Sequence, residues 1–159
     1  MATEIVLRIE GEVQVPLALT IEDLLAIDAA DQVRDVSRFH PGRKGDGVTL
    51  ESLLTRAQPK PEANYLTLHA KRDDFHVSVP LDAVRAEGIV VFRIGDQPLL
   101  AAQGGPIRFL IRDPAACHTD ELDDCANIKY LDVIELTVRR GLDTRPADEA
   151  AHAALHDGN

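Results

Sequence analysis

The chain has 159 residues, 45% of them apolar but only 4% aromatic, with no Trp; this is one domain's worth of sequence, with a core that must rest on Leu, Val, Ile and Ala. Its formal net charge of −10 at pH 7 argues against broad binding to nucleic acid or to an anionic membrane surface, both of which call for a positive face. No apolar run approaches the roughly 20 residues of a membrane span.

The N-terminus carries no basic stretch leading into an apolar one and no twin arginine, so a cytoplasmic location is expected. Glu4 to Ile9 is a short apolar run, and Val13, Val15, Leu17 and Leu19 alternate with other residues. Both read as strands, on either side of a turn at Glu10-Gly11. Thr20-Ile21-Glu22-Asp23 has the form of a capping box, which predicts a short helix through about Ile27. Gln32 to Ser37 is a candidate strand. Phe39 to Gly47 holds one Pro and three Gly among charges, a composition that breaks regular structure. Thr49 then caps a helix with Leu50, Leu53 and Leu54 on one face.

Tyr65, Leu66 and Leu68 mark one strand and Phe75, Val77 and Val79 its partner, joined through Arg72-Asp73-Asp74. The hairpin sets His69 and His76 opposite each other. Pro80 opens a short helix over Leu81 to Arg85, where its missing amide is not needed. Gly88 to Ile94, Ile107 to Ile111 and Tyr130 to Val138 are three further strands, with a turn at Gly95-Asp96-Gln97-Pro98. Beyond Gly141 the chain is polar and alanine-rich, as in a frayed end. The expected architecture is an α+β domain over residues 1–140, a mixed sheet with short helices, followed by a polar tail over 141–159.

The stiffest segment is Gln103-Gly104-Gly105-Pro106-Ile107-Arg108. Glycines permit close backbone approach to a ligand and Arg108 is suited to a phosphate, but the same residues also make a plain tight entry to a strand. Lys129, behind Asn127-Ile128, stands at the start of the last strand, where its plain reading is an exposed strand lysine. Arg38-Phe39-His40-Pro41-Gly42-Arg43-Lys44-Gly45 is the most basic stretch of an acidic chain, suited to an anion or simply solvated. Cys117, His118 and Cys125 do not have a recurrent zinc spacing, and two reduced thiols are the expectation for the cysteines. There is no Gly-x-Ser-x-Gly elbow, no phosphate-binding P-loop and no histidine pair at metal-binding spacing.

The order of these segments is more specific than any one of them. Gly47-Val48-Thr49-Leu50-Glu51-Ser52-Leu53-Leu54 comes first, then Asp74-Phe75-His76-Val77-Ser78-Val79-Pro80-Leu81. Gly95-Asp96-Gln97-Pro98-Leu99, the Gly-Gly-Pro-Ile-Arg turn, and Ile128-Lys129 running into Ile134-Glu135-Leu136 complete the series. From about Val33 to Val138 this succession resembles the molybdopterin-binding domain of the sulfite oxidase family of oxidoreductases. The resemblance implies that fold and a pocket for molybdopterin or another anionic small molecule, with Arg38, His40, Arg43, Gly105, Arg108 and Lys129 as candidate contacts.

The chain departs from the resembled pattern at the metal. The family ligates molybdenum through a cysteine shortly before the loop that leads into the Gly-Val-x-Leu helix. Here that region reads Arg34-Asp35-Val36-Ser37-Arg38, and no cysteine precedes Cys117. Oxygen from Asp35 or Ser37 is not an equivalent of a soft thiolate. The expected function is therefore a molybdopterin-binding-type domain that is catalytically impaired. Two alternatives stand beside it: a non-catalytic protein-interaction module on the same scaffold, and an active molybdenum oxidoreductase with Asp35 or Ser37 as the metal ligand.

Overall fold

The computed structural model describes residues 4–39, 44–95, 97–112 and 128–144. Where the sequence suggested one mixed sheet, the described residues form two five-stranded sheets. The first contains β1 (Leu7–Gly11), β2 (Leu17–Leu19), β5 (Tyr65–Ala70), β6 (Phe75–Pro80) and β10 (Val133–Thr137), in the order β2-β1-β10-β5-β6. It is mixed, because β1 and β10 run parallel while the other pairs are antiparallel. The second contains β3 (Gln32–Val33), β4 (Asp46–Thr49), β7 (Gly88–Ile94), β8 (Gln97–Pro98) and β9 (Arg108–Ile111). In it β7 is central, with β4 and then β3 to one side of it and both β8 and β9 along the other, all antiparallel.

The capping signals in the sequence produce the helices. Thr20 and Asp23 exchange bonds as a capping box at the start of α1 (Ile21–Leu25), which is shorter than expected. The Thr49 hydroxyl accepts from the Ser52 amide at the start of α2 (Leu50–Ala57). In α2, Leu50, Leu53, Leu54 and Ala57 are fully buried, the single apolar stripe that the 3.6-residue period demands. Pro80 precedes α3 (Leu81–Val84).

The expected strand over Gln32 to Ser37 is only two residues long. Asp35 adopts a left-handed conformation at φ 59°, and its carboxylate accepts from the Ser37 amide. An Asx turn of this kind competes with a sheet ladder and wins where the strand has little to pair with. A 3-10 turn, Val36–Arg38, follows.

One core lies between the two sheets, and it includes Leu7, Ile9, Leu53, Leu66, Val77, Phe92, Phe109 and Ile134. A smaller apolar cluster of Val36, Ile89, Val91, Leu99 and Leu110 covers the opposite face of the second sheet. Strand β7 therefore has buried side chains on both faces, which is why its sequence, Gly-Ile-Val-Val-Phe, does not alternate. Alternation along β9 sends Phe109 and Ile111 to the main core and Leu110 to the smaller cluster.

Gly141 to Thr144, expected to open a free tail, lie along the first sheet. The Gly141 amide donates to the Ser78 hydroxyl at 2.8 Å, the Ser78 amide donates to Asp143 at 3.0 Å, and the Thr144 amide donates to the His76 carbonyl at 2.8 Å.

Candidate functional site

The smaller cluster floors a recess of about 230 Å³. Among the described residues its lining is Val91, Ile94, Leu99 and Leu110, with Lys44, Gln103 and Arg108 as the polar members. Arg108 is half-buried, on the same face of β9 as Leu110. Its Nη1 donates to the Gln103 carbonyl at 3.2 Å.

Backbone geometry delivers the cations. A 3-10 turn, Ala101–Gln103, ends at Gly104 in the left-handed region at φ 88°. A Cβ built there would stand 2.9 Å from Lys129 Cγ and 3.0 Å from Arg108 Cδ. The Arg108 and Lys129 stems therefore flank one point, and only glycine leaves room for both in that conformation. Lys129 reaches it because the chain around it is pinned to the turn and to β9. The Tyr130 amide donates to the Gly104 carbonyl at 2.8 Å, and Phe109 and Ile128 exchange backbone bonds of 2.8 and 2.9 Å. Gly105 is equally constrained, since a Cβ there would lie 2.4 Å from the Leu99 carbonyl oxygen. The turn thus presses against the same Leu99 that floors the recess.

The remaining candidates are placed differently. Arg38 Nε donates to the Arg34 carbonyl at 3.1 Å, and its guanidinium lies 5.1 Å from the Phe39 ring centre. It closes its own turn and is not among the recess lining. Asp35 and Ser37 are bonded to each other through the Ser37 hydroxyl and amide, and the Asp35 amide donates to Asp46 at 2.7 Å. Neither lines the recess. The Ser37 hydroxyl and then its amide, with help from the Arg38 charge, hold the Asp35 carboxyl below the usual carboxylate range. His40, Arg43, Cys117, His118 and Cys125 lie outside the described residues.

Two polar members of the lining, Lys44 and Gln103, lie in segments that the sequence marked but were not among the candidate contacts. Lys44 belongs to the basic loop, and the signal that marks it is its neighbour. Gly45, at φ 137°, brings the backbone so close to β7 that a Cβ would stand 2.7 Å from Val91 Cγ1. Among the described residues no group of three or more His, Cys, Asp or Glu is placed to hold a metal ion.

No curated protein matches the chain in sequence. The crystal structure of the sulfane dehydrogenase SoxCD from Paracoccus pantotrophus is similar in fold, with a TM-score of 0.62 and 20% identity over 84% of this chain. This chain spans only 38% of that one. The two-sheet architecture is thus of the sulfite oxidase type. The family model of the oxidoreductase molybdopterin binding domain matches residues 44–140, which takes in Lys44, Gln103, Gly104, Arg108 and Lys129, and over that majority of its length the chain belongs to this family.

Proposed function

We propose that this domain binds a pterin through its anionic arm and does not complete an active molybdenum centre. The observation that carries the reading is the meeting of the Arg108 and Lys129 stems at Gly104, beside a recess whose other cation is Lys44. Lys44 and Arg108 in the recess lining, with the Lys129 stem beside Arg108, gather positive charge in a chain of net charge −10, and Arg108 can grip a phosphate through two parallel N–H bonds. The apolar floor of Val91, Leu99 and Leu110 suits the face of a heterocycle. The recess is smaller than the roughly 300–1,000 Å³ of ordinary small-molecule sites, so it holds an arm of such a cofactor. A phosphorylated pterin fits this donor set.

The metal does not fit as well. A bound molybdenum supplies oxygen-atom transfer chemistry, and in the family a cysteine thiolate helps to set its electronics. In this chain the stretch that the resemblance sets in the cysteine's place is the Asp35–Ser37 turn, where Asp35 Oδ1 and the Ser37 hydroxyl are bonded to each other. Hard oxygen donors engaged in this way are poor replacements for a soft thiolate.

The test is expression in a host that supplies molybdopterin, followed by elemental analysis and pterin fluorescence of the purified chain. Pterin is expected to be retained with molybdenum far below one per chain, and to be lost in the Arg108→Ala, Lys129→Ala double variant. Molybdenum near one per chain, with turnover that follows it across preparations, overturns the impaired-enzyme reading. Absence of both pterin and metal overturns the pterin reading in favour of an interaction module.

A further inference from the structure

Away from the recess, two histidines meet on the outer face of the first sheet. His69 of β5 and His76 of β6 are cross-strand partners, and their Nδ1 atoms stand 2.8 Å apart. Each Nε2 points away from the other ring and into a carboxylate. His69 reaches Glu135 Oε1 at 2.9 Å and His76 reaches Asp74 Oδ1 at 3.0 Å. Both imidazoles are mostly buried, with side-chain exposures of 14% and 10%.

Counting hydrogens gives the charge that the full set of bonds would require. An ionised carboxylate can only accept, so each Nε2 carries a hydrogen. Two ring nitrogens at hydrogen-bond distance need one hydrogen between them. With none, two lone pairs face each other; with two, a pair of N–H groups do. With all three contacts made as hydrogen bonds, the four ring nitrogens would carry three hydrogens between them, one ring an imidazolium and the other neutral.

The His76 backbone is also where the C-terminal segment is fastened. Its amide donates to Thr144 Oγ1 at 2.9 Å and its carbonyl accepts from the Thr144 amide at 2.8 Å. Two residues on, Ser78 holds Asp143 and Gly141. These bonds occupy amides of β6, which is an edge strand and would otherwise be open to pairing with another chain.

We propose that His69 and His76 form a single-proton site that clamps the segment 141–144 onto the edge of the first sheet. One shared proton holds the two rings together and fixes β6 in the position that the segment grips. A second proton turns the contact into opposed N–H groups; loss of the first leaves opposed lone pairs. Either change drives the rings apart and loosens the segment. The charged groups facing the pair favour a single positive charge. Glu135 of β10 shares the face with Glu10 and Arg8 of β1, Asp74 closes the hairpin turn, and Asp143 of the segment is paired with Arg140 at 3.2 Å. Of these, Glu135 and Asp74 touch the rings themselves.

The test uses the full chain labelled with 15N in histidine, with His69→Gln to assign the pair among the six histidines. Near neutral pH, three of the four ring nitrogens are expected to be protonated, both Nε2 atoms among them. When acid adds the fourth hydrogen, exchange protection of the Ser78 and Thr144 amides should fall by about tenfold, the loss of a charge-assisted bond, beyond any change in His69→Gln. Two or four protons on the pair at neutral pH overturn the site. Three protons with the same protection in wild type and His69→Gln at every pH overturn the clamp. Glu135→Gln keeps both rings and guards against a misfolded His69→Gln: its acid step should move to lower pH, and an unmoved step also overturns the proposal.

Discussion

At Gly104, conformation and space make the same demand: φ is 88°, and the stems of Lys129 and Arg108 leave no room for a Cβ. Gly104→Ala is expected to cost about 1–2 kcal/mol from the left-handed backbone alone, and more as the two cations are pushed apart. Thermal unfolding reads the first effect and inorganic phosphate titration the second; a variant with unchanged stability would show that the turn relaxes freely. Arg108→Ala, which leaves the turn intact, should weaken phosphate binding by roughly tenfold or more, the loss of a charge-assisted pair. The Asp35 carboxyl offers a pH readout. Its folded-state value is lowered by Ser37 and Arg38, so its contribution to stability is present above the ordinary carboxylate value and is lost as pH falls through the lower, folded one. Asp35→Asn should therefore flatten the stability profile in that acid window and nowhere else, as followed by denaturant unfolding at several pH values. The Gly-Gly-Pro-Ile-Arg turn was legible as a stiff turn that delivers a cation, but the same residues also make a plain strand entry, and Lys129 was named through the family resemblance alone. Arg38 was not separable from a binding cation, because its partner, the Arg34 carbonyl, is a backbone atom that no side-chain pattern announces.

Among the elements, those governed by local chemistry follow the sequence most closely. The α2 helix begins where a threonine precedes an apolar stripe, and its cap is made: the Thr49 hydroxyl accepts from the Ser52 amide at 3.2 Å, and the Ser52 hydroxyl donates back to the Thr49 carbonyl at 2.7 Å. Thr49→Ala should lose about 1 kcal/mol, while Thr55→Ala, on the exposed side of the same helix, should lose less. Equal losses in chemical denaturation would assign the effect to general helix propensity rather than to the cap. The hairpin of β5 and β6 was likewise legible, because apolar alternation on both sides of a polar turn fixes its register. The third strand was not, since its apolar pattern runs through Asp35, and only the fold determines whether that residue pairs or turns. Nor could alternation alone divide ten strands between two sheets. That division depends on which long-range partners meet, as when β10 inserts between β1 and β5.

Across the whole molecule, one apolar core joins the two sheets. Leu66, Leu68 and Ile134 of the first sheet, Phe92 and Phe109 of the second, and Leu50, Leu53 and Leu54 of α2 belong to a single buried cluster. Phe109 is fully buried and lies in a strand that also anchors the chain on either side of Lys129, through its exchange of backbone bonds with Ile128. A continuous core of this kind cannot lose one sheet and keep the other, because each face would expose its partner's apolar surface to water. Unfolding should therefore be a single transition, with far-UV circular dichroism and tyrosine fluorescence tracing one curve. Phe109→Ala should destabilise the chain by about 3–5 kcal/mol, a large share of the ~5–15 kcal/mol of an ordinary domain, and should weaken phosphate binding as the Ile128–Tyr130 segment loses its anchor. Two separated transitions in the wild type, or a Phe109→Ala variant that unfolds in a second, earlier step while keeping its phosphate affinity, would mean that the recess and the main core are independent units, and that Lys129 is held by something other than β9.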